Sequence, residues 1–261
     1  MTTQKTTWRG WRRHFSAQAR RPLPPLPARI DVPEDLRAPL ARSLARFQVG
    51  EGGEGRIAHQ IYRTRLATID DDYRAALRLF VREEGRHARI LAQMVRGLDG
   101  ALVKSTWSER LFVGVRRLAG VRLKLLVLLA AEVVGIGFYG HLARRLPAGE
   151  LREALAEITA DESAHLDFHV DFFRRETAGS RARKALFAGL WIAIAGAACL
   201  LVVVDHRATL RRSGGGSWAA MRDYGRRIAA VLRATLDAPE TADAAAESIV
   251  GRPAPRMSAA S

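Results

Sequence analysis

An all-α fold is what this chain predicts, and three observations carry that reading. Apolar residues recur at helical spacing, at Ile57, Ala58, Ile61 and Leu66, again at Tyr73, Leu77, Phe80, Leu91 and Met94, and again at Leu151, Leu155 and Ile158. Glycine and proline interrupt these runs where helices would stop, at Gly97–Gly100 and Pro147–Gly149. No stretch alternates apolar and polar residues as a half-buried strand does.

The elements follow in order. Residues 1–30 are basic and Pro-rich and end in PLPPLPARI, which reads as a flexible arm. The arm holds Lys5, Arg9, Arg12, Arg13, Arg20, Arg21 and Arg29 and no acid. Asp31 has the chemistry of an N-cap, with Pro33, Glu34 and Asp35 in a first turn, and predicts a short helix to about Phe47. Further helices are predicted over about 54–67, 71–98, 121–145 and 149–177, with a short one at 107–118. Residues 185–204, ALFAGLWIAIAGAACLLVVV, carry no charge. SGGGS at 213–217 marks a loop, and a last amphipathic helix fits 218–236. The helical domain therefore covers 31–236, with a core at about 50–177 and extra helices over about 182–236; residues 237–261 read as a disordered tail.

Composition narrows the function classes. A formal net charge of +15 favours acidic partners without choosing among headgroups, nucleic acid and protein. The single cysteine, Cys199, excludes an intrachain disulfide and a thiolate metal cluster. Arg12-Arg13 has the residues of a twin-arginine signal, but SAQARRPLPPLP cannot form its apolar segment. The expected location is cytoplasmic, with membrane association left open by residues 185–204, which reach the length of a membrane span. Basic residues flank both ends of that run, so no orientation is readable, and a helix packed on the bundle or lying at a membrane surface is expected. Trp8 and Trp11 among arginines suit a membrane interface, and nothing predicts specific nucleic-acid binding.

Gly50-x-Gly52-x-x-Gly55 has the spacing of a dinucleotide-binding turn but none of its context. No strand precedes it, and Glu51 and Glu54 would repel a pyrophosphate. The glycines read instead as the entry to a helix that carries Glu54.

The chemistry lies in two strings, EEGRHARIL at 83–91 and DESAHLDFH at 161–169. Each contains Glu-x-x-His: Glu84 with His87, and Glu162 with His165. Residues three apart share a helix face, so each pair can aim a carboxylate and an imidazole at one point. Both pairs continue the apolar stripe of their helix, where a charge is costly unless paired or ligated. Glu132 is the only acid in the apolar run LLVLLAAEVVGIGFYG, and Glu54 aligns with Ile57 and Ile61. Glu54 to Glu84 is 30 residues, and so is Glu132 to Glu162. The second set follows the first by 78 residues at all three positions. Two helical hairpins related by a two-fold axis would gather four carboxylates and two imidazoles, the ligand set of a dinuclear site in a four-helix bundle. Two divalent cations would balance four glutamates, and oxygen-rich ligands with two nitrogens suit iron or manganese.

Neighbouring residues take supporting roles. Glu51, one turn before Glu54, is a rival for the same role, and the 30-residue symmetry favours Glu54. Asp161 and Glu83 can accept the second N–H of the histidines across the bundle, with solvated charge as the alternative. Tyr139 lines the cavity or the core. His169, one turn after His165, is an extra ligand or a core histidine.

With these residues, the chain resembles the ferritin-like superfamily of di-iron carboxylate proteins over about residues 50–175. The resemblance implies a ferritin-like four-helix bundle with additional C-terminal helices and two iron ions, with Fe/Mn or Mn/Mn as variants. It implies Glu54 and Glu132 as terminal ligands, Glu84 and Glu162 as bridges, and His87 and His165 as one ligand to each metal. It also implies dioxygen or peroxide as co-substrate, with an unidentified substrate and electron donor. A full-length rubrerythrin would need a four-cysteine module, and a ferritin cage subunit is little more than the bundle. The string Glu83-Glu84-Gly85-Arg86-His87 looks like the first box of acyl-carrier-protein desaturases. The expected function is an O2-activating oxidoreductase on an organic substrate. The alternative is an iron-handling ferroxidase or peroxide-scavenging protein with no organic substrate.

Overall fold

The computed structural model describes residues 7–52, 61, 64–104 and 120–237. These form an all-α bundle, with no strand among the described residues. The helices are α1 (Trp8–Gln18), α2 (Glu34–Gly52), α3 (Asp71–Gly97), α4 (Val121–Arg145), α5 (Glu150–Thr177), α6 (Arg181–Asp205), α7 (Arg207–Arg212) and α8 (Ser217–Leu236). The bundle is built from two extensive helix pairs, α2 with α3 and α4 with α5, and α3 also meets α5. Helices α6 and α8 pack on the α4–α5 side.

The long helices begin and end close to where spacing predicts. Asp70 caps α3 by accepting the Tyr73 N–H at 2.7 Å. Helix α3 stops at Gly97, where the chain comes too close for a side chain. An added Cβ would lie 2.9 Å from Ile30, whose N–H donates to the Gly97 carbonyl at 2.7 Å. Gly137 plays the same part in α4: a Cβ there would collide with the Tyr224 ring of α8, whose hydroxyl donates to the Val134 carbonyl at 3.2 Å. Between these contacts the core is filled by Leu40 and Leu44 of α2, Tyr73, Leu77 and Phe80 of α3, Leu129 and Val133 of α4, and Leu155, Ile158 and Phe168 of α5.

Four expectations need correction or placing. Residues 7–20 are not part of a flexible arm. Trp8, Trp11 and Phe15 recur at three and four residues, which makes one helix face, and they are 5%, 1% and 1% exposed. Trp8 Nε1 donates to the Thr68 carbonyl at 2.9 Å and Trp11 Nε1 to Asp171 at 2.8 Å, while Arg9 and Arg12 face Asp72 on the outside. The aromatic stripe outweighs the basic, Pro-rich composition. Helix α2 runs past Phe47 to Gly52, so Gly50 and Gly52 lie within a helix that begins at Glu34 rather than opening one. Of the helix predicted over 54–67, residues 54–60, 62 and 63 lie outside the described residues, Ile61 is helical, and residues 64–66 are not. The short helix at 107–118 and, beyond Asp237, the tail also lie outside the described residues.

The apolar run forms α6. Among the described residues it is the one helix long and apolar enough to cross a membrane, and 39% of its most apolar window is buried. Phe187, Trp191, Ala195, Cys199 and Val202 face the bundle. Leu186, Ile192, Leu200 and Val204 are more than half exposed.

Candidate metal centre

Helices α3 and α5 bring the two Glu-x-x-His pairs face to face. Glu84, His87, Glu162 and His165 are buried, and one ligand-type atom from each lies within 4.8 Å of the others. The pairs interlock across the bundle. His165 Nδ1 is 2.6 Å from Glu84 Oε1, and His87 Nδ1 is 3.0 Å from Glu162 Oε1. From α4, Glu132 reaches the same group, its Oε2 lying 3.7 Å from His165 Nδ1. These five residues stand together as the repeat predicts.

Of the two rival acids Glu51 and Glu54, the described residues contain one. Glu54 lies outside the described residues. Glu51 is the α2 carboxylate that the structure brings to the cluster: its Oε1 accepts the Tyr139 hydroxyl at 2.5 Å, and Tyr139 is fully buried. The reason is the extension of α2. Once the helix continues through Gly50, Glu51 rides its last described turn toward α4.

Behind the cluster lies a second layer, and it answers the alternative of solvated charge. His87 Nε2 pairs with Asp161 at 3.1 Å, and His165 Nε2 pairs with Glu83 at 3.1 Å. Each histidine is thus held by the acid of the opposite helix. Both carboxylates are less than a tenth exposed. Arg21 closes the layer from outside, its Nη2 donating to Glu83 at 2.7 Å and to Asp161 at 2.5 Å. Arg86 supports the same corner, donating to the Pro22 carbonyl at 2.6 Å and to Glu157 at 2.5 Å. Sequence reasoning missed Arg21, and the only signal for it was two buried acids that needed a cation.

Proton affinities follow from this crowding. Burial, and then the charges of Glu84 and Glu162, push Glu51 well above the carboxylate range. Burial and Glu162 do the same to Glu132. Burial also raises Glu84 and Glu162, but the neighbouring groups outweigh it, His165 chief among them at Glu84, and both end below the usual range, Glu162 at about 2. Burial lowers His87 and His165, yet the surrounding carboxylates win and hold both well above an ordinary imidazole. Crowding thus drives the carboxylates apart in proton affinity, Glu51 and Glu132 upward and Glu84 and Glu162 downward, and raises both imidazoles.

The donor set fits a metal. Glu84 Oε1, Glu162 Oε1, His87 Nδ1 and His165 Nδ1 are buried without a hydrogen-bond partner, although they crowd one another. The Nε2 atoms on the far side of both rings are hydrogen-bonded. Satisfied outer nitrogens and unsatisfied inner ones are the arrangement of ligating histidines, whose outer N–H is held by a carboxylate. The buried carboxylate–histidine cluster could hold a metal ion. No family model, curated protein or solved structure matches the chain.

Proposed function

We propose that the cluster is a dinuclear iron centre and that the protein is an oxidoreductase using dioxygen on an organic substrate. The observation that carries this reading is the set of four inward-facing, buried ligand atoms on Glu84, His87, Glu162 and His165, close together yet in no well-formed hydrogen bond, with each histidine held from behind by a buried acid. Glu84, Glu162, His87 and His165 would hold the ions, with Glu132 and an α2 acid, Glu51 or Glu54, as further ligands. When bound, a pair of reduced irons supplies two electrons to dioxygen at one place. The chain's own part is to fix imidazole orientation through Asp161, Glu83 and Arg21 and to exclude water with Phe15 and Phe80, which line His165.

Metal analysis of aerobically purified protein tests this, with Glu84→Ala and His165→Ala as controls. About two irons per chain, lost in both variants, is the expected result; a folded, metal-free native protein contradicts it. Anaerobic loading followed by an oxygen pulse then separates the reaction classes. Oxidation that stops once the bound irons are spent supports the oxygenase reading. Continued Fe(II) oxidation with mineral growth, or rapid peroxide turnover, supports iron handling instead.

For the exposed face of α6 we propose contact with an anionic membrane surface. Arg181, Arg183 and Lys184 stand at one end and Arg207 and Arg211 at the other, so a second copy laid along it in either direction would oppose like charges. Cosedimentation with anionic but not neutral vesicles is expected, and equal recovery from both would contradict it.

A further inference from the structure

His169 breaks the internal repeat. Seventy-eight residues earlier, the matching position is Leu91. Both side chains are fully buried. Leucine is what such a place in a bundle ordinarily holds, whereas an imidazole brings two nitrogens that need partners. His169 has none: neither Nδ1 nor Nε2 is hydrogen-bonded. Its ring is wedged edge-on against Phe80 at 5.2 Å and beside Phe168 at 5.4 Å, so its surroundings there are apolar. It approaches Glu132, with Nε2 3.7 Å from Oε1. The other oxygen of that carboxylate lies 3.7 Å from His165 Nδ1. Glu132 therefore stands between two imidazoles from successive turns of α5. Histidines four residues apart lie on one helix face, a spacing that lets both bind a single ion.

We propose that His169 is a third imidazole ligand, completing the ion held by Glu132 and His165, so that the two ions of the centre are unlike. One would have two nitrogen ligands and the other only His87. The proposal rests on the metal-centre reading above. An added neutral nitrogen favours the later, more nitrogen-seeking divalent metals at that position, so the two ions should bind in sequence rather than together.

The test is anaerobic titration of the metal-stripped full chain with Co(II), followed by calorimetry and visible absorption. Wild type, His169→Leu, His169→Gln and Glu84→Ala are compared, each first shown by circular dichroism to be folded. His169→Leu copies the residue at 91 and should fold without metal; His169→Gln keeps a polar side chain should leucine not be tolerated. Wild type is expected to bind in two unequal steps. Both His169 variants should lose affinity in the tighter step by roughly 100-fold, at or beyond the top of the range for merely outer-layer partners, and the cobalt absorption of that step should change. Wild-type affinities in His169→Leu would overturn the proposal. So would recovery in His169→Gln of what leucine loses, because that marks a hydrogen bond to Glu132 and no ligation. A folded wild type that takes up no cobalt overturns the metal centre itself, and is told apart from failure of His169 alone by the wild-type trace.

Discussion

The helix pairs α2–α3 and α4–α5 present similar residues to one cluster in unlike settings. Between α3 and α5 the match is close: Glu83-Glu84 with His87 faces Asp161-Glu162 with His165, and each histidine is held by the other helix. Between α2 and α4 it fails. Glu132 sits in the middle of a 25-residue helix, buried between Leu129 and Val133. Glu51 sits between two glycines in the last described turn of α2, in a half-buried position, and is held by a tyrosine from α4. A repeated ligand set is thus not a repeated environment. The α4 acid is set among apolar neighbours, and the α2 acid is held by polar partners, Tyr139 and Glu84.

Substitutions can break or sharpen that comparison. The largest effect is expected from Glu84→Ala and Glu162→Ala, because each acid faces both histidines or their partners. Elemental analysis should show both variants falling from about two ions per chain to none; retention of one ion by either would mean that the halves bind independently. Next comes Trp11→Ala, which removes a buried indole from the side where α1 covers α3 and α5. A loss of about 3–5 kcal/mol is expected in urea unfolding, and an unchanged midpoint would return α1 to the status of a loose arm. Asp161→Asn and Glu83→Gln compare the two histidine supports directly. Each should weaken metal binding by about 10–100-fold in a chelator competition, and equal losses would show that the crossed pairing is symmetric in energy as well as in distance. The smallest effect is expected from Tyr139→Phe. It deletes only the hydroxyl on Glu51 and keeps the ring against Phe47, whose centroid is 5.0 Å away. About 1–3 kcal/mol should be lost from the metal-free protein in thermal unfolding, with Glu132 untouched.

Much of this was legible in the sequence because it rests on periodicity. Helices α4 and α5 begin and end within a residue of their predicted limits, since apolar spacing and Gly or Pro stops agree there. The Glu-x-x-His pairs were legible because they place charge on an apolar stripe, a conflict that only pairing or ligation resolves. Three features were not. Helix α1 was hidden by composition: its arginines and the following prolines drew more notice than Trp8, Trp11 and Phe15 at helical spacing. Glu51 stood second because the 30-residue symmetry favours Glu54, and only the course of α2 through Gly50 puts Glu51 beside Tyr139. Arg21 had no local signal at all, since its partners lie 62 and 140 residues away.

Those separations matter when the chain is made. The N-terminal segment leaves the ribosome first, yet Trp11 finds Asp171 only 160 residues later, and Arg21 must wait for both of its carboxylates. Helix α3 gives Trp8 and Phe15 their first surface, at Tyr73 and Phe80, and the more remote contacts with α5 form slowly. The segment that covers the cluster is therefore made well before α5, the second surface against which it rests.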